Sequence, residues 1–271
     1  MAVARVFAID VAAYAIMSNH YHLVLRVDLE RAATWSTDEV IERWHWLFTG
    51  SRLSQRYLHA RNTLTSGEVT HVHACAVVWR ERLTDISWFM RCVNEPIARR
   101  ANAEDHCTGA FWEGRFKSQA LLDEAAVLSA MAYVDLNPVR AKLADTPETS
   151  EHTSIKRRIE KAKDGSIPAE LMRFQGSANR DKPDGIPFAL EHYIELVDLT
   201  GRVVRNGKRG AIDESLPPIL TRLGIDADTW LTIATEFEGA FRNWVGTEEA
   251  IRQATRNVGK TRSRSPPLIA A

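Results

Sequence analysis

The chain lacks a net charge: 35 Lys and Arg side chains stand against 35 Asp and Glu. Domains that neutralise phosphate along a nucleic acid tend to be basic. The balance therefore weighs against a uniformly cationic binding protein and leaves room only for local patches. Cysteine is scarce. Cys75, Cys92 and Cys107 are odd in number and form no C-x-x-C pair, which argues against zinc and disulfide frameworks and fits a reducing, cytoplasmic setting. No uninterrupted apolar run reaches the roughly 18 residues of a membrane span, so no membrane partner is expected. The opening MAVARVFAIDVAAYAIM is apolar, but it has no basic n-region and Asp10 interrupts it; it does not read as a signal peptide. No repeat recurs at a fixed period.

What is present is enough for a real core. Apolar residues make up 45% of the 271, a length that suggests one or two domains. Eight tryptophans are many; such rings fill cores and also stack on bases. Residues 11–17 (VAAYAIM) read as a buried strand, Ser18-Asn19 as a turn, and HYHLVLRV (20–27) as a second strand, together a hairpin. A helix is expected over 37–48, capped by Ser36 or Thr37, whereas 50–78 is ambiguous. In RERLTDISWFMRCVNEPIARRANAE, Leu83, Ile86, Phe89, Met90, Val93 and Ile97 recur at steps of three and four, which predicts one helix with Pro96 as a possible kink. Residues 111–122 read as a strand. Asp123 caps a helix that should end near Asn137, because Pro138 disfavours helical geometry just before it. A short charged helix follows over 155–163. Residues 174–188 are rich in Gly, Pro, Asp and Asn and read as linker. Further helices are expected at 189–200, 216–223, 227–239 and 247–257, with a basic tail behind them.

Three groups of residues carry chemistry. In a strand, side chains alternate, so His20 and His22 share one face and can hold a divalent metal. The pattern is weak by itself: His71-Val72-His73 repeats it, and either pair also reads as ordinary strand histidines. Tyr133 and Asn137 lie four apart on one helix face. A tyrosine hydroxyl, with an ordinary pKa of about 10, becomes a useful nucleophile when a metal polarises the phosphodiester it attacks, and Asn137 offers a carbonyl oxygen to such an ion. Alone, Tyr133 reads as a packed aromatic before it reads as a nucleophile. Finally, FWEGRFKS (111–118) interleaves basic and aromatic residues. Arg115 and Lys117 would contact phosphate while Trp112 or Phe116 stacks on bases, unless the segment is a plain amphipathic strand.

These segments together resemble a known family. YAIMSNHYHLV (14–24) is similar to the strand of the HUH single-tyrosine transposases that often reads MPNHVHLL; Phe111–Ser118 resembles that family's WQGRFKS segment; AYVDLNPVRA (132–141) resembles its YIHLNPVRA block. The three occur in the family's order, within 11–145, and the nearest group is the REP-associated tyrosine transposases. The resemblance implies an α+β, ferredoxin-like antiparallel sheet with helices, forming a catalytic domain over 1–165. It implies His20, His22 and Asn137 as ligands of Mg²⁺ or Mn²⁺, Tyr133 as nucleophile, and Trp112, Arg115, Lys117 and Arg140 as DNA contacts. The implied activity is cleavage and rejoining of hairpin-containing single-stranded DNA through a 5′-phosphotyrosine link, by a homodimer in the insertion-sequence branch.

The family's opening strand, which lies beside the HUH strand, has no counterpart here, so a sheet edge is expected to lack its partner unless another segment fills it. Beyond the catalytic domain, the expected organisation is a linker over 166–188, an all-helical accessory unit over 189–258 and a disordered tail over 259–271. The competing expectations are a non-catalytic hairpin-DNA-binding protein, and an unrelated metallohydrolase that would not need Tyr133.

Overall fold

A computed structural model describes residues 2–176, 185–206, 218–260, 263 and 265–268. Strand β1 (Ile9–Ile16) and strand β2 (Tyr21–Val27) form an antiparallel hairpin. Its loop is the expected Ser18-Asn19, closed by Met17 N–H donating to the His20 carbonyl at 2.9 Å, the spacing of a two-residue hairpin turn. By contacts the chain divides into two units, 1–10 with 25–116, and 11–24 with 117–271. The organisation expected from the resemblance and from the linker composition placed its boundaries at 165 and 189 instead.

The first unit is helical: α1 (Ala2–Val6), α2 (Leu29–Thr34), α3 (Thr37–Leu47), α4 (Arg52–His59), α5 (Ser66–Arg82) and α6 (Ile86–Glu104). Ser36 caps α3, its side chain accepting from the Glu39 N–H. The single helix expected over RERLTDISWFMRCVNEPIARRANAE is two helices. Asp85 turns extended and its carboxylate caps α6, because a short acidic side chain there satisfies a helix-start N–H better than a continued helix would. Helix α6 then continues through Pro96. Trp44 and Trp79 stack with centroids 5.4 Å apart, and Phe7 meets Phe89 edge-on at 5.5 Å, so these rings are core. Residues 71–73 lie on α5, not in a strand. Positions two apart on a helix point to nearly opposite sides, and the second H-x-H pair therefore has no common face.

The second unit holds the hairpin from Val11 of β1 to Val24 of β2, together with β3 (Ala120–Leu121), α7 (Glu124–Asp135), α8 (Asn137–Arg140), α9 (Ser154–Lys163), α10 (Leu190–Asn206), α11 (Pro218–Leu223), α12 (Ala227–Ala240), β4 (Trp244–Val245) and α13 (Glu248–Asn257). The strand expected over 111–122 reduces to β3, two residues paired in parallel with β4. Residues 111–119 have no strand partner among the described residues, so alternation there places nothing on a common face. The segment expected to be an accessory unit is part of one core. Tyr193, Leu196, Leu220, Trp230, Ile233, Phe237 and Val245 are buried in the same cluster as Ala13 and Val24 of the hairpin and Leu128, Met131 and Leu136 of the α7 region. Within the expected linker, Ile186 and Phe188 are also buried in it, while 177–184 lie outside the described residues. So do 216 and 217 of the helix expected at 216–223, and residues 261, 262, 264 and 269–271 of the expected tail. The tail's Leu268 is 4% exposed and its N–H bonds the Gly246 carbonyl at 2.8 Å, so this part of the tail is packed.

The chain is thus α+β and mostly helical. Its hairpin is not extended into a larger sheet by any described strand, yet the outer edge of β1 is not bare. Ile16 N–H donates to the His152 carbonyl at 3.1 Å and Met172 N–H to the Val11 carbonyl at 2.9 Å. Tyr14 N–H donates to Ser154 Oγ at 2.9 Å, and Arg158 Nη2 donates to the Ala12 carbonyl at 2.8 Å. Loop and side-chain groups take the place of a neighbouring strand, as buried backbone polar groups require.

Candidate active site

The hairpin turn and the end of α7 bring three of the sequence-selected residues together. His20 and His22 flank Tyr21 where β2 leaves the turn, and their rings meet edge-on with centroids 5.1 Å apart. The ring of Tyr133, in the last turn of α7, lies edge-on to His22 at 6.0 Å. Each histidine has its Nδ1 beside an oxygen: His20 with Asn19 Oδ1 at 2.7 Å, and His22 with Glu238 Oε1 at 3.2 Å. An oxygen beside Nδ1 favours the ring form with its proton on that nitrogen, in which the Nε2 lone pair is free.

Tyr133 is half-buried between two neighbours. Phe237 of α12 packs against its ring at 5.5 Å, and the Arg140 guanidinium lies 3.6 Å over the ring. Arg140 is there because the helix breaks. Pro138 supplies no N–H and α7 gives way to α8 around Leu136, which releases carbonyls from the helical ladder. Arg140 Nη1 takes the Tyr133 carbonyl at 2.6 Å and the Ala234 carbonyl of α12 at 3.1 Å. Burial raises the Tyr133 pKa, and the nearby Arg140 charge opposes that rise. Burial also lowers the pKa of His22, against the pull of Glu238.

Asn137 is 7% exposed, at the start of α8. No hydrogen bond among the described residues ties its side chain to His20 or His22. Of the expected DNA contacts, Arg140 is committed to the internal bonds just described. Trp112, in the first unit, is half-buried with its indole N–H donating to the Asn94 carbonyl at 3.1 Å. Arg115 is exposed in the first unit and Lys117 is exposed in the second. Among the described residues, no group of three or more His, Cys, Asp or Glu is placed to hold a metal ion.

Sequence reasoning missed Glu238, Phe237 and Ala234, all on α12. Nothing in the pattern of an ordinary amphipathic helix marks one glutamate as a histidine's partner. Asp135 was also passed over. It is fully buried and accepts from Ser154 Oγ, from Ile155 N–H at 2.9 Å and from the Tyr193 hydroxyl at 2.6 Å. It anchors the helix that carries Tyr133. No described helix is long and apolar enough to cross a membrane. No family model matches the chain, and neither a curated protein nor a solved structure matches it.

Proposed function

We propose that this chain is a single-strand DNA cleaving and rejoining enzyme of the HUH single-tyrosine type, with Tyr133 as nucleophile and His20 and His22 as ligands of Mg²⁺ or Mn²⁺. The observation that carries the reading is the edge-on contact of His22 with Tyr133 at 6.0 Å. These residues are 111 positions apart (133 − 22) and were selected from separate motifs. The ferredoxin-like reading of the second unit rests on the hairpin and on α7 sharing its core.

The donor set fits a hard divalent cation only in part. Two imidazoles 5.1 Å apart by centroid can share one ion. With no third described His, Cys, Asp or Glu in the group, the remaining ligands would be oxygens of water, substrate phosphate or the Asn137 amide. Such an ion, when bound, supplies polarisation of the phosphodiester. The chain supplies the rest. Tyr133 Oη bonds to phosphorus, the bond to the 3′-oxygen breaks, and the departing strand takes a proton to end as a free 3′-hydroxyl. The downstream strand stays attached as a 5′-phosphotyrosine. Attack by a 3′-hydroxyl reverses the step and returns the proton to Tyr133, with no external energy source. Arg140 stabilises negative charge at the phenol oxygen while Tyr133 is deprotonated. Hairpin-containing DNA as substrate, and a homodimer as the working form, belong to this same reading.

A second reading has an observation in its favour. Tyr133 is sandwiched between Phe237 and Arg140 and its pKa is raised, as for a packed aromatic in a protein that binds hairpin DNA without cutting it. Covalent capture separates the two. The purified chain is incubated with 3′-labelled, hairpin-rich single-stranded oligonucleotides and Mn²⁺, then run on a denaturing gel. A covalent band that vanishes with Tyr133→Phe and with EDTA is expected. A native-gel shift without any covalent band would favour binding alone.

A further inference from the structure

The ring of His22 is not fixed by its strand. The imidazole rotates broadly about its last side-chain bond, and a neutral ring carries its proton on either nitrogen according to the hydrogen bond it finds. We infer that Glu238 of α12 is the positioning residue for His22, fixing both its orientation and its tautomer with Nε2 unprotonated. The contact is His22 Nδ1 to Glu238 Oε1 at 3.2 Å. An ionised carboxylate only accepts, so at this ion-pair distance Glu238 favours the ring form that carries its proton on Nδ1.

Helix α12 is suited to that task because the same turn also grips the tyrosine. Phe237, adjacent to Glu238, is 4% exposed and packs on Tyr133 at 5.5 Å and on Phe241 at 5.2 Å. One turn earlier, the Ala234 carbonyl accepts from Arg140, the residue stacked on Tyr133. Consecutive residues of one packed helix thus touch Tyr133 and His22. The carboxylate itself is 58% exposed, so its effect is on geometry and proton placement more than on folding stability. Metal-binding histidines commonly donate their second ring N–H to a carboxylate, and losing such a partner weakens metal binding about 10–100-fold. His20 makes the equivalent contact with its own neighbour Asn19 at 2.7 Å. The carboxylate partner of His22 comes instead from a segment beyond the motif-bearing part of the chain.

The role of Glu238 toward a cation rests on the proposed function; its hold on the His22 tautomer does not. The test uses the full chain without metal, at about pH 8, where an ordinary imidazole is neutral. Nitrogen-15 NMR of the histidine rings reports which nitrogen of His22 carries the proton, in the wild type, Glu238→Gln and Glu238→Ala. Mn²⁺ is then titrated into each by calorimetry. Wild type and Glu238→Gln, which keeps an acceptor oxygen, are expected to hold His22 as the Nδ1–H form. Glu238→Ala is expected to shift His22 toward Nε2–H and to bind Mn²⁺ about 10–100-fold more weakly, with an unchanged circular dichroism spectrum. A His22 tautomer that is the same in Glu238→Ala as in wild type overturns the inference. If the tautomer shifts in Glu238→Ala but wild type binds no Mn²⁺, positioning stands and the metal-dependent reading falls.

Discussion

The Arg140 guanidinium lies 3.6 Å over the ring of Tyr133 and donates to that residue's own carbonyl at 2.6 Å. One side chain thus repairs the helix break before Pro138 and sets a positive charge against the candidate nucleophile. Replacing it with Met keeps length and removes both. Leaving the Tyr133 and Ala234 carbonyls without this donor should cost about 1–3 kcal/mol, read by urea unfolding. The Tyr133 pKa should rise further, read by ultraviolet titration of the phenol. A variant as stable as the wild type, with an unchanged tyrosine titration, would show that Arg140 is a bystander.

Asp135 gives a pH dependence. Burial holds its pKa up at about 6 against the ordinary 3.8, opposed by the hydrogen bonds from Ser154 and Tyr193, the charge of Arg158 and the Ile155 N–H. Because the folded state holds this proton more tightly than the unfolded chain, the contribution is fully present below about pH 4 and is lost as pH rises through about 6. In Asp135→Asn it is absent. The wild-type stability minus that of Asp135→Asn should therefore fall between pH 4 and 7, by on the order of 2–3 kcal/mol. A difference that is flat or rises with pH contradicts the burial argument.

The second unit should not survive truncation. Chain 1–165, the catalytic domain expected from sequence, would leave behind Trp230, Tyr193 and Leu196, each 0% exposed in the core shared with the hairpin and α7. It would also lose β4, the partner of β3. We expect it to bind a hydrophobic dye and to unfold without a cooperative transition. In the full chain, Trp230→Ala should cost about 3–5 kcal/mol. A folded 1–165 fragment would restore the accessory-unit view.

Why the hairpin and the tyrosine helix were legible while α12 was not comes down to the range of the interactions. Val11–Met17 and His20–Val27 are strand-forming runs about a two-residue turn, and Asp123 caps α7; both signals lie within a few residues. The 111–119 segment reads as a strand just as well, but a strand also needs a partner, and that information is not local. Likewise, Pro and Gly around 174–188 mark irregular chain correctly, yet they do not reveal that Ile186 and Phe188 are pinned in the core. His20, His22 and Tyr133 could be selected only because three short motifs resemble, in order, those of one family; their spacing alone did not mark them. Glu238 carries its contact only through packing of α12 on α7, which no periodicity announces.

Arg158 and Asp135 offer a test of the buried polar network that supports this arrangement. Arg158 is 1% exposed and donates to the Ala12 and Met172 carbonyls at 2.8 and 3.0 Å, while its Nε has no partner among the described residues. Its charge is also among those that steady the Asp135 carboxylate. Arg158→Met should cost about 3–5 kcal/mol near pH 8, since it leaves a buried carboxylate without its cation as well as two carbonyls without this donor. In the Asp135→Asn background only the carbonyl loss remains. A double-mutant cycle should then give a coupling of about 0.5–3 kcal/mol. The coupling should shrink toward pH 4, where Asp135 is protonated and has no charge for Arg158 to meet. A coupling that is independent of pH would mean that the two residues communicate through packing alone, and that Arg158 serves only to fill the edge of β1.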